Sequence, residues 1–377
     1  MILQSRRVFI AGQFTPAQLR VEGKRIAAVL PYGHAAPDED YGDAMLLPGF
    51  IDIHTHGAYG YQTDAPDSEG LARWIARLPE EGVTSFLPTT MTQSLEDIKA
   101  SVEGIREVKE NGPRGAEILG IHIEGPFLDK TYKGAHPAEL LRKPSVEEFR
   151  QIQDWSGGNV RYLTLACERD EGHKLLHYAV SVGVRVAMGH TAATMEQALL
   201  AIANGATSFT HGFNAMSPLN HRQPGVAGAM LSTDLFCEVI GDGQHVHPSV
   251  VGLLFKAKGN RGIAMISDSM GVKGMPPGRY RSGNAEVDID ETGTARLAGT
   301  GTIAGGSLKI NRGIKLLVTQ AMVSMEHAIL ACTYTPALLL GLERQKGQLR
   351  AGNDADLVVM GDDWEVKNTY CLGKKVV

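Results

Sequence analysis

Two histidines separated by one residue, His54 and His56, close an apolar run that begins at residue 46. Side chains two apart on a strand project to one face, so both imidazoles can reach a single ion without bending the backbone. Similar runs further along the chain end in Glu124, His190, His211 and Asp268. Taken singly, each has an ordinary explanation. An H-x-H is a weak signal, and Glu124 before Gly125-Pro126 could be a satisfied strand end. His190 and His211 could cap helices or pack in a core, and Asp268 before Ser269 could close a turn. Four imidazoles and two carboxylates, all at strand ends, are together a metal-ligand set. Without thiolate they suit zinc, iron, manganese or cobalt and do not choose among them. Such an ion serves hydrolysis, because it can lower the pKa of bound water from about 15.7 to about 7 and polarise a carbonyl. A carboxylate must then take a proton from the water and hand it to the leaving group, and Asp268 on the last strand is the candidate. A covalent route has no support: the sequence contains no G-x-S-x-G and no cysteine in an activating motif.

The elements that must position these residues follow from hydrophobic texture. Eight short runs end in polar residues: LLPGFIDIH (46–54), VTSFLPTT (83–90), EILGIHIE (117–124), VRYLTLA (160–166), VRVAMGH (184–190), ATSFTH (206–211), LFCEVIG (235–241) and GIAMISD (262–268). Helix-like stretches lie between most of them, which indicates βα units and a parallel sheet. Eight such units in about 220 residues predict a closed (β/α)8 barrel, in which catalytic groups sit at the C-terminal ends of the strands. Residues 270–305 read as glycine-rich hairpins, followed by helices near 307–322 and 325–341. Within them GTGTIAGG lacks the strand and helix that a phosphate loop needs, and DIDETG reads as a hairpin turn rather than a calcium loop. Both ends of the chain read as short strands, giving a division into 1–45 plus 350–377 as a small β-domain and 46–349 as the barrel.

Composition narrows the function. The 377 residues carry 37 Lys plus Arg against 42 Asp plus Glu, a formal net charge of −5. This balance gives no global attraction to nucleic acid or to an anionic membrane, so neither is expected as a partner. An anionic ligand would need a local cluster. Four scattered cysteines, Cys167, Cys237, Cys332 and Cys371, give neither a disulfide framework nor a thiolate zinc site. The N-terminus lacks a signal-peptide pattern and no apolar run is long enough to span a membrane, so a cytoplasmic location is expected.

The strings PGFIDIHTHG, IHIEGPFLDKTYKGAHP, AMGHTAAT, THGFNAMSPLNHRQPG, DGQHVHP, ISDSMGVKGMPPGRY and GTIAGGSLKIN, with the closing G-x-L-x-x-G-x-D-A-D-L-V-V, span nearly the whole chain. Together they resemble the N-acetylglucosamine-6-phosphate deacetylases of the amidohydrolase superfamily. The resemblance implies an α/β fold, a distorted (β/α)8 TIM-like barrel with a small β-sandwich domain formed by both termini, and a homodimer. It implies one or two divalent ions, zinc first among the metals named above. Glu124, His190 and His211 would bind one; His54 and His56, with Glu124 bridging and Asp268 nearby, would bind the other. Asp268 would act as base and then acid, and His136 would orient the substrate or polarise the acetyl carbonyl. The 6-phosphate of a phosphosugar would meet the backbone of Asn214 and Ala215 and the side chains of Arg222 and His245. Gly212-Phe213, Gly241, Cys167, Ile303 and Gly306 depart from the common pattern at positions expected near the sugar. The galactosamine 6-phosphate counterpart shares these motifs. A cyclic amidase is disfavoured because Glu124, not lysine, ends the third strand. An inactive scaffold is disfavoured because it would not need the charge cluster.

Overall fold

A computed structural model describes residues 1–64, 67–112, 114–282, 285–291, 294–299, 301, 303 and 305–377. The GTGTIAGG and DIDETG strings fall partly outside the described residues, at Thr300, Thr302, Ala304, Thr292 and Gly293. The chain first lays down three antiparallel strands, β1 (Ile2–Ile10), β2 (Gln13–Glu22) and β3 (Arg25–Pro31), then β4 (Met45–Pro48) parallel to β1. Eight barrel strands follow, parallel and paired in chain order. They are β5 (Phe50–Thr55), β6 (Val83–Thr90), β7 (Ile121–Glu124), β8 (Val160–Leu165), β9 (Arg185–Met188), β10 (Ser208–Phe209), β11 (Phe236–Ile240) and β12 (Ile263–Ile266). A small antiparallel sheet comes next, β13 (Gly278–Ser282), β14 (Ala285–Ile289) and β15 (Ala295–Leu297). Finally β16 (Leu357–Met360), β17 (Val366–Cys371) and β18 (Lys374–Lys375) return to the terminal sheet, in the order β18-β17-β16-β4-β1-β2-β3. That sheet wraps a core of its own, including Leu3, Leu19, Ile26, Leu46, Leu357 and Tyr370.

Helices fill the crossovers: α1 (Ser68–Arg77), α2 (Leu95–Asn111), α3 (Val146–Trp155), α4 (Lys174–Ser181), α5 (Met195–Ala203), α6 (Gly225–Ser232), α7 (Pro248–Lys258) and α8 (Ile310–Thr319). Their starts are chemically marked. Asp67, Ser94 and Ser145 each accept a backbone N–H as N-caps, and Thr194 forms a capping box with Gln197. The helix expected over 325–341 is two, α9 (Met325–Cys332) and α10 (Tyr334–Leu339). Pro336 has no N–H to return to the Cys332 carbonyl, and the chain breaks at Thr333. The expected run 46–54 is also two strands, one in each sheet. Gly49 sits at the break because a Cβ there would lie 2.1 Å from Thr84 Oγ1.

Inside the barrel the strands alternate, and the interior is layered. Ile51, Ile53, Leu87, Leu119, Ala264 and Ile266 form an apolar plug. Thr89, His122, Thr164, Thr210 and Glu238 are fully buried in a polar layer nearer the strands' C-terminal ends. His122 Nε2 meets Thr164 Oγ1 at 2.8 Å, and Thr164 Oγ1 meets Thr210 Oγ1 at 2.9 Å. The seam between β12 and β5 is laced by Asp52, which accepts Ser267 N–H at 3.3 Å and Ser267 Oγ–H at 2.6 Å. Beside it Asp268 N–H donates to the His54 carbonyl at 2.9 Å. These bonds fix the end of β12 against the H-x-H.

Candidate metal centre

Glu124 stands at the centre of the rim. Its Oε2 lies 3.3 Å from His54 Nε2 and 3.2 Å from His56 Nε2, and its Oε1 lies 3.3 Å from His190 Nε2 and 3.2 Å from His211 Nε2. Asp268 Oδ1 is 3.4 Å from His54 Nε2 and 3.2 Å from His56 Nε2. The expected six residues therefore come together as two groups, His54-His56-Asp268 and Glu124-His190-His211. All are nearly or wholly buried.

The hydrogen bonds fix which nitrogen of each ring faces the centre. His56 Nδ1 donates to the Thr89 carbonyl at 3.1 Å, His190 Nδ1 to the Tyr132 carbonyl at 2.8 Å and His211 Nδ1 to the Asn214 carbonyl at 3.2 Å. His54 Nδ1 donates to Glu238 Oε2 at 2.9 Å. A carbonyl or carboxylate can only accept, so each Nδ1 carries the proton, and each ring in its neutral form turns an Nε2 lone pair inward. The lone pairs then confront one another, His190 against His211 at 3.1 Å and His54 against His56 at 3.3 Å. That arrangement is repulsive unless a cation lies between. Ligand atoms of a tetrahedral ion with bonds of about 2.0–2.1 Å are themselves about 3.3 Å apart, so donor chemistry and spacing both fit a divalent metal. Burial pushes the His56 imidazole down, but Asp268 and Glu124 outweigh it and raise it to about 9. Burial likewise opposes ionisation of Asp268, yet His54 and His56 hold it well below the usual carboxylate range. The centre demands positive charge whichever way it is supplied.

His136 is the exception among the imidazoles. Thr92 N–H donates to its Nδ1 at 3.3 Å, and Thr92 Oγ1 lies 2.8 Å from the same atom. Its proton is therefore on Nε2, 3.5 Å from Glu124 Oε2, so His136 faces the site as a donor rather than a ligand. Burial presses its pKa down to about 4 against the pull of Glu124, which keeps it neutral.

A cavity of about 310 Å³ opens over the centre, and His136, Asn214, Ala215, His245, Asp268 and Ile303 are on its wall. His245 is oriented by Asp242, whose Oδ2 accepts from its Nδ1 at 2.7 Å. One expected backbone donor is already engaged. Asn214 N–H donates to the His211 carbonyl at 2.9 Å, so it closes a turn instead of facing a ligand. Arg222 does not line this cavity; it is exposed on the 218–223 loop. Of the residues departing from the common pattern, Ile303 does line it. Gly212 and Gly241 answer to packing: a Cβ would lie 2.6 Å from Cys237 Sγ and 2.5 Å from Met265 Sδ, respectively.

Sequence reasoning missed the layer beneath. Glu238 holds His54 and also accepts His211 N–H at 3.1 Å, and the His122 ring stacks edge-on to His54 at 4.5 Å. Both carried a signal. Glu238 is a lone charge inside the apolar LFCEVIG, and His122 stands two residues before Glu124, hence on its face.

The amidohydrolase family model matches residues 45–376. N-acetylglucosamine-6-phosphate deacetylase of Bacillus subtilis (strain 168) is 41% identical over 337 residues, covering 88% of this chain and 84% of that protein. N-acetylgalactosamine-6-phosphate deacetylase of Escherichia coli O157:H7 is 35% identical over 378 residues, covering 99% and 98%. Among solved structures, a mutant N-acetyl-D-glucosamine-6-phosphate deacetylase from Mycobacterium smegmatis, in complex with N-acetyl-D-glucosamine-6-phosphate, superposes with a TM-score of 0.94 at 34% identity, covering 100% and 99% of the two chains.

Proposed function

The chain belongs to the amidohydrolase family, among its N-acetylglucosamine-6-phosphate deacetylases, and on that premise we propose how its own residues perform the reaction. The reaction is hydrolysis of N-acetyl-D-glucosamine 6-phosphate to D-glucosamine 6-phosphate and acetate. Amidohydrolases are typically divalent-metal dependent, and two candidate ligand groups are present. Glu124, His190 and His211 would hold one ion and His54, His56 and Asp268, with Glu124 shared, a second; zinc is the ion we propose. When bound, such an ion supplies Lewis acidity to the amide carbonyl and to water.

The observation that carries the reading is the contrast among the imidazoles: four turn bare Nε2 atoms to the centre, while His136 turns an N–H to the same cavity. His136 donates from Nε2 to the acetyl oxygen as the carbonyl carbon becomes tetrahedral. Asp268 accepts a proton from the attacking water and delivers it to the sugar nitrogen as the C–N bond breaks. His245, Ala215 and the wall formed by Asn214 address the phosphosugar. Arg222, exposed on its loop, serves the 6-phosphate of the neighbouring subunit in a homodimer. We take the enzyme to be cytoplasmic; among the described residues no helix is long and apolar enough to cross a membrane. We also take two domains, with the expected boundary after residue 45 moved to 48 because Met45–Pro48 pairs into the terminal sheet: 1–48 with 350–377, and 49–349.

Acetate release from both N-acetylhexosamine 6-phosphates, with metal quantified in the same sample, tests the reading. Turnover of the glucosamine derivative that is lost on chelation and restored by one divalent ion is the expected result. Full activity in metal-free protein would overturn the mechanism. Faster turnover of the galactosamine derivative would favour the second reading, which the Escherichia coli relative motivates by matching 99% of this chain.

A further inference from the structure

Glu238 is a fully buried carboxylate in the middle of an otherwise apolar strand, facing the barrel interior. A charge at that depth is strongly disfavoured unless it is paired and hydrogen-bonded. Among the described residues the only ion pair found for it is with His54, whose Nδ1 lies 2.9 Å from Glu238 Oε2. The same oxygen accepts His211 N–H at 3.1 Å. One atom thus grips a ligand from each group. It acts on the His54 ring by hydrogen bonding and on the His211 turn, whose φ is +27°, through the backbone. Nothing in the deacetylation itself requires a carboxylate here, since Glu238 lies on the far side of His54 from the cavity and is absent from its wall.

The other three inward-facing imidazoles rest on neutral carbonyls; His54 alone rests on a carboxylate. A carboxylate acceptor makes the ring a stronger electron donor at Nε2 and locks its orientation. We propose that Glu238 is the positioning residue that makes His54-His56-Asp268 a metal site in its own right. The inference rests on the metal-dependent reading above and extends it. Its chemistry predicts that the first group does not depend on substrate to retain an ion.

Zinc or cobalt titration of the apo-enzyme tests it. Glu238→Gln preserves shape, and its amide oxygen can still accept. It should weaken binding of the ion at the first group by about 10–100-fold. It should also change the visible spectrum of that cobalt equivalent and leave the second group within tenfold of the wild type. In a His54→Asn background Glu238→Gln should cause no further loss at the first group, because the ring it acts through is gone. Unchanged affinities and spectra in Glu238→Gln, or a full additional loss in the His54→Asn background, would overturn the proposal. Should Glu238→Gln fail to fold, the wild-type zinc enzyme still decides. The His54 Nδ1–H proton, assigned by its disappearance in His54→Asn, should resonate furthest downfield of the four ligand imidazoles, and a position among the other three would overturn it. A wild-type chain that takes up no divalent ion would instead defeat the metal reading itself.

Discussion

On one rim, His54 and His56 are held by the strand that carries them, whereas His190 and His211 are held by turns. His54 lies on β5 and His56 directly follows its last residue, with the two-residue register aiming both rings at Glu124. The second pair follows β9 and β10, and each residue adopts a left-handed backbone, φ +46° at His190 and +27° at His211. Asp268, after β12 and two strands further round, has φ +45°. Such a conformation costs a non-glycine residue on the order of 1–3 kcal/mol and persists only where its surroundings over-determine it. Here the Tyr132 and Asn214 carbonyls and the Glu238 carboxylate do so. A strand delivers a ligand pair without strain, but only in a fixed direction. A strained turn can aim a ligand from a strand that points elsewhere, and the centre needs both devices.

The most severe way to break this comparison is to remove what the groups share. Glu124→Gln should release both ions and lower turnover on the order of 10⁴-fold or more, since metal stabilisation is worth several kcal/mol and each 1.36 kcal/mol is tenfold. Retention of either ion, measured by elemental analysis after dialysis, would show that the groups are independent. Asp268→Asn should act on one group only, lowering kcat by roughly 10²–10⁴-fold with substrate affinity kept. Near-normal kcat would move the proton carrier elsewhere. The double change His54→Asn, His56→Asn sharpens the contrast. It should remove one ion per chain and leave the turn-held group loaded, with the circular-dichroism melt still cooperative; unchanged stoichiometry would mean that β5 holds no ion. The smallest effect lies outside both groups. Arg222→Ala should cost about 1.5–3 kcal/mol, roughly ten- to a hundredfold in kcat/KM, on the phosphorylated sugar alone. An equal loss on unphosphorylated N-acetylglucosamine would make Arg222 structural. Mixed dimers of Arg222→Ala and Asp268→Asn subunits should regain activity if the arginine crosses the interface.

The strand-held half of the centre was plain in the sequence, because period-two spacing survives folding unchanged: H-x-H at 54–56 predicts two rings on one face, and they meet at 3.3 Å. The turn-held half was legible only as residue types after apolar runs, since no local pattern announces a left-handed histidine. The reversed tautomer of His136 depends on Thr92, 44 residues away, and could not be read locally. The same holds for Asn214, whose N–H is consumed by a turn that forms only once His211 adopts positive φ. The barrel and the three-stranded insertion followed from spacing. The split of 46–54 between two sheets did not, because the apolar texture is continuous across Gly49 and the cause, Thr84, belongs to another strand.

The terminal sheet has a consequence for how the polypeptide is made. Strands β1 to β3 are neighbours in sequence and can pair as soon as they leave the ribosome. One flank of β4, however, is filled by β16, which is encoded roughly 300 residues later. At about 5–20 residues per second, translation leaves that flank open for roughly 15–60 s. An open flank bearing Leu46 and Leu47 is a template for pairing with other nascent chains, and Pro48 is the only residue in β4 that cannot donate to such a pairing. Recovery of soluble enzyme should therefore be limited by the LVVM segment at 357–360, far from any chemistry. Chains halted just before it should aggregate although every proposed ligand and proton carrier has already been synthesised.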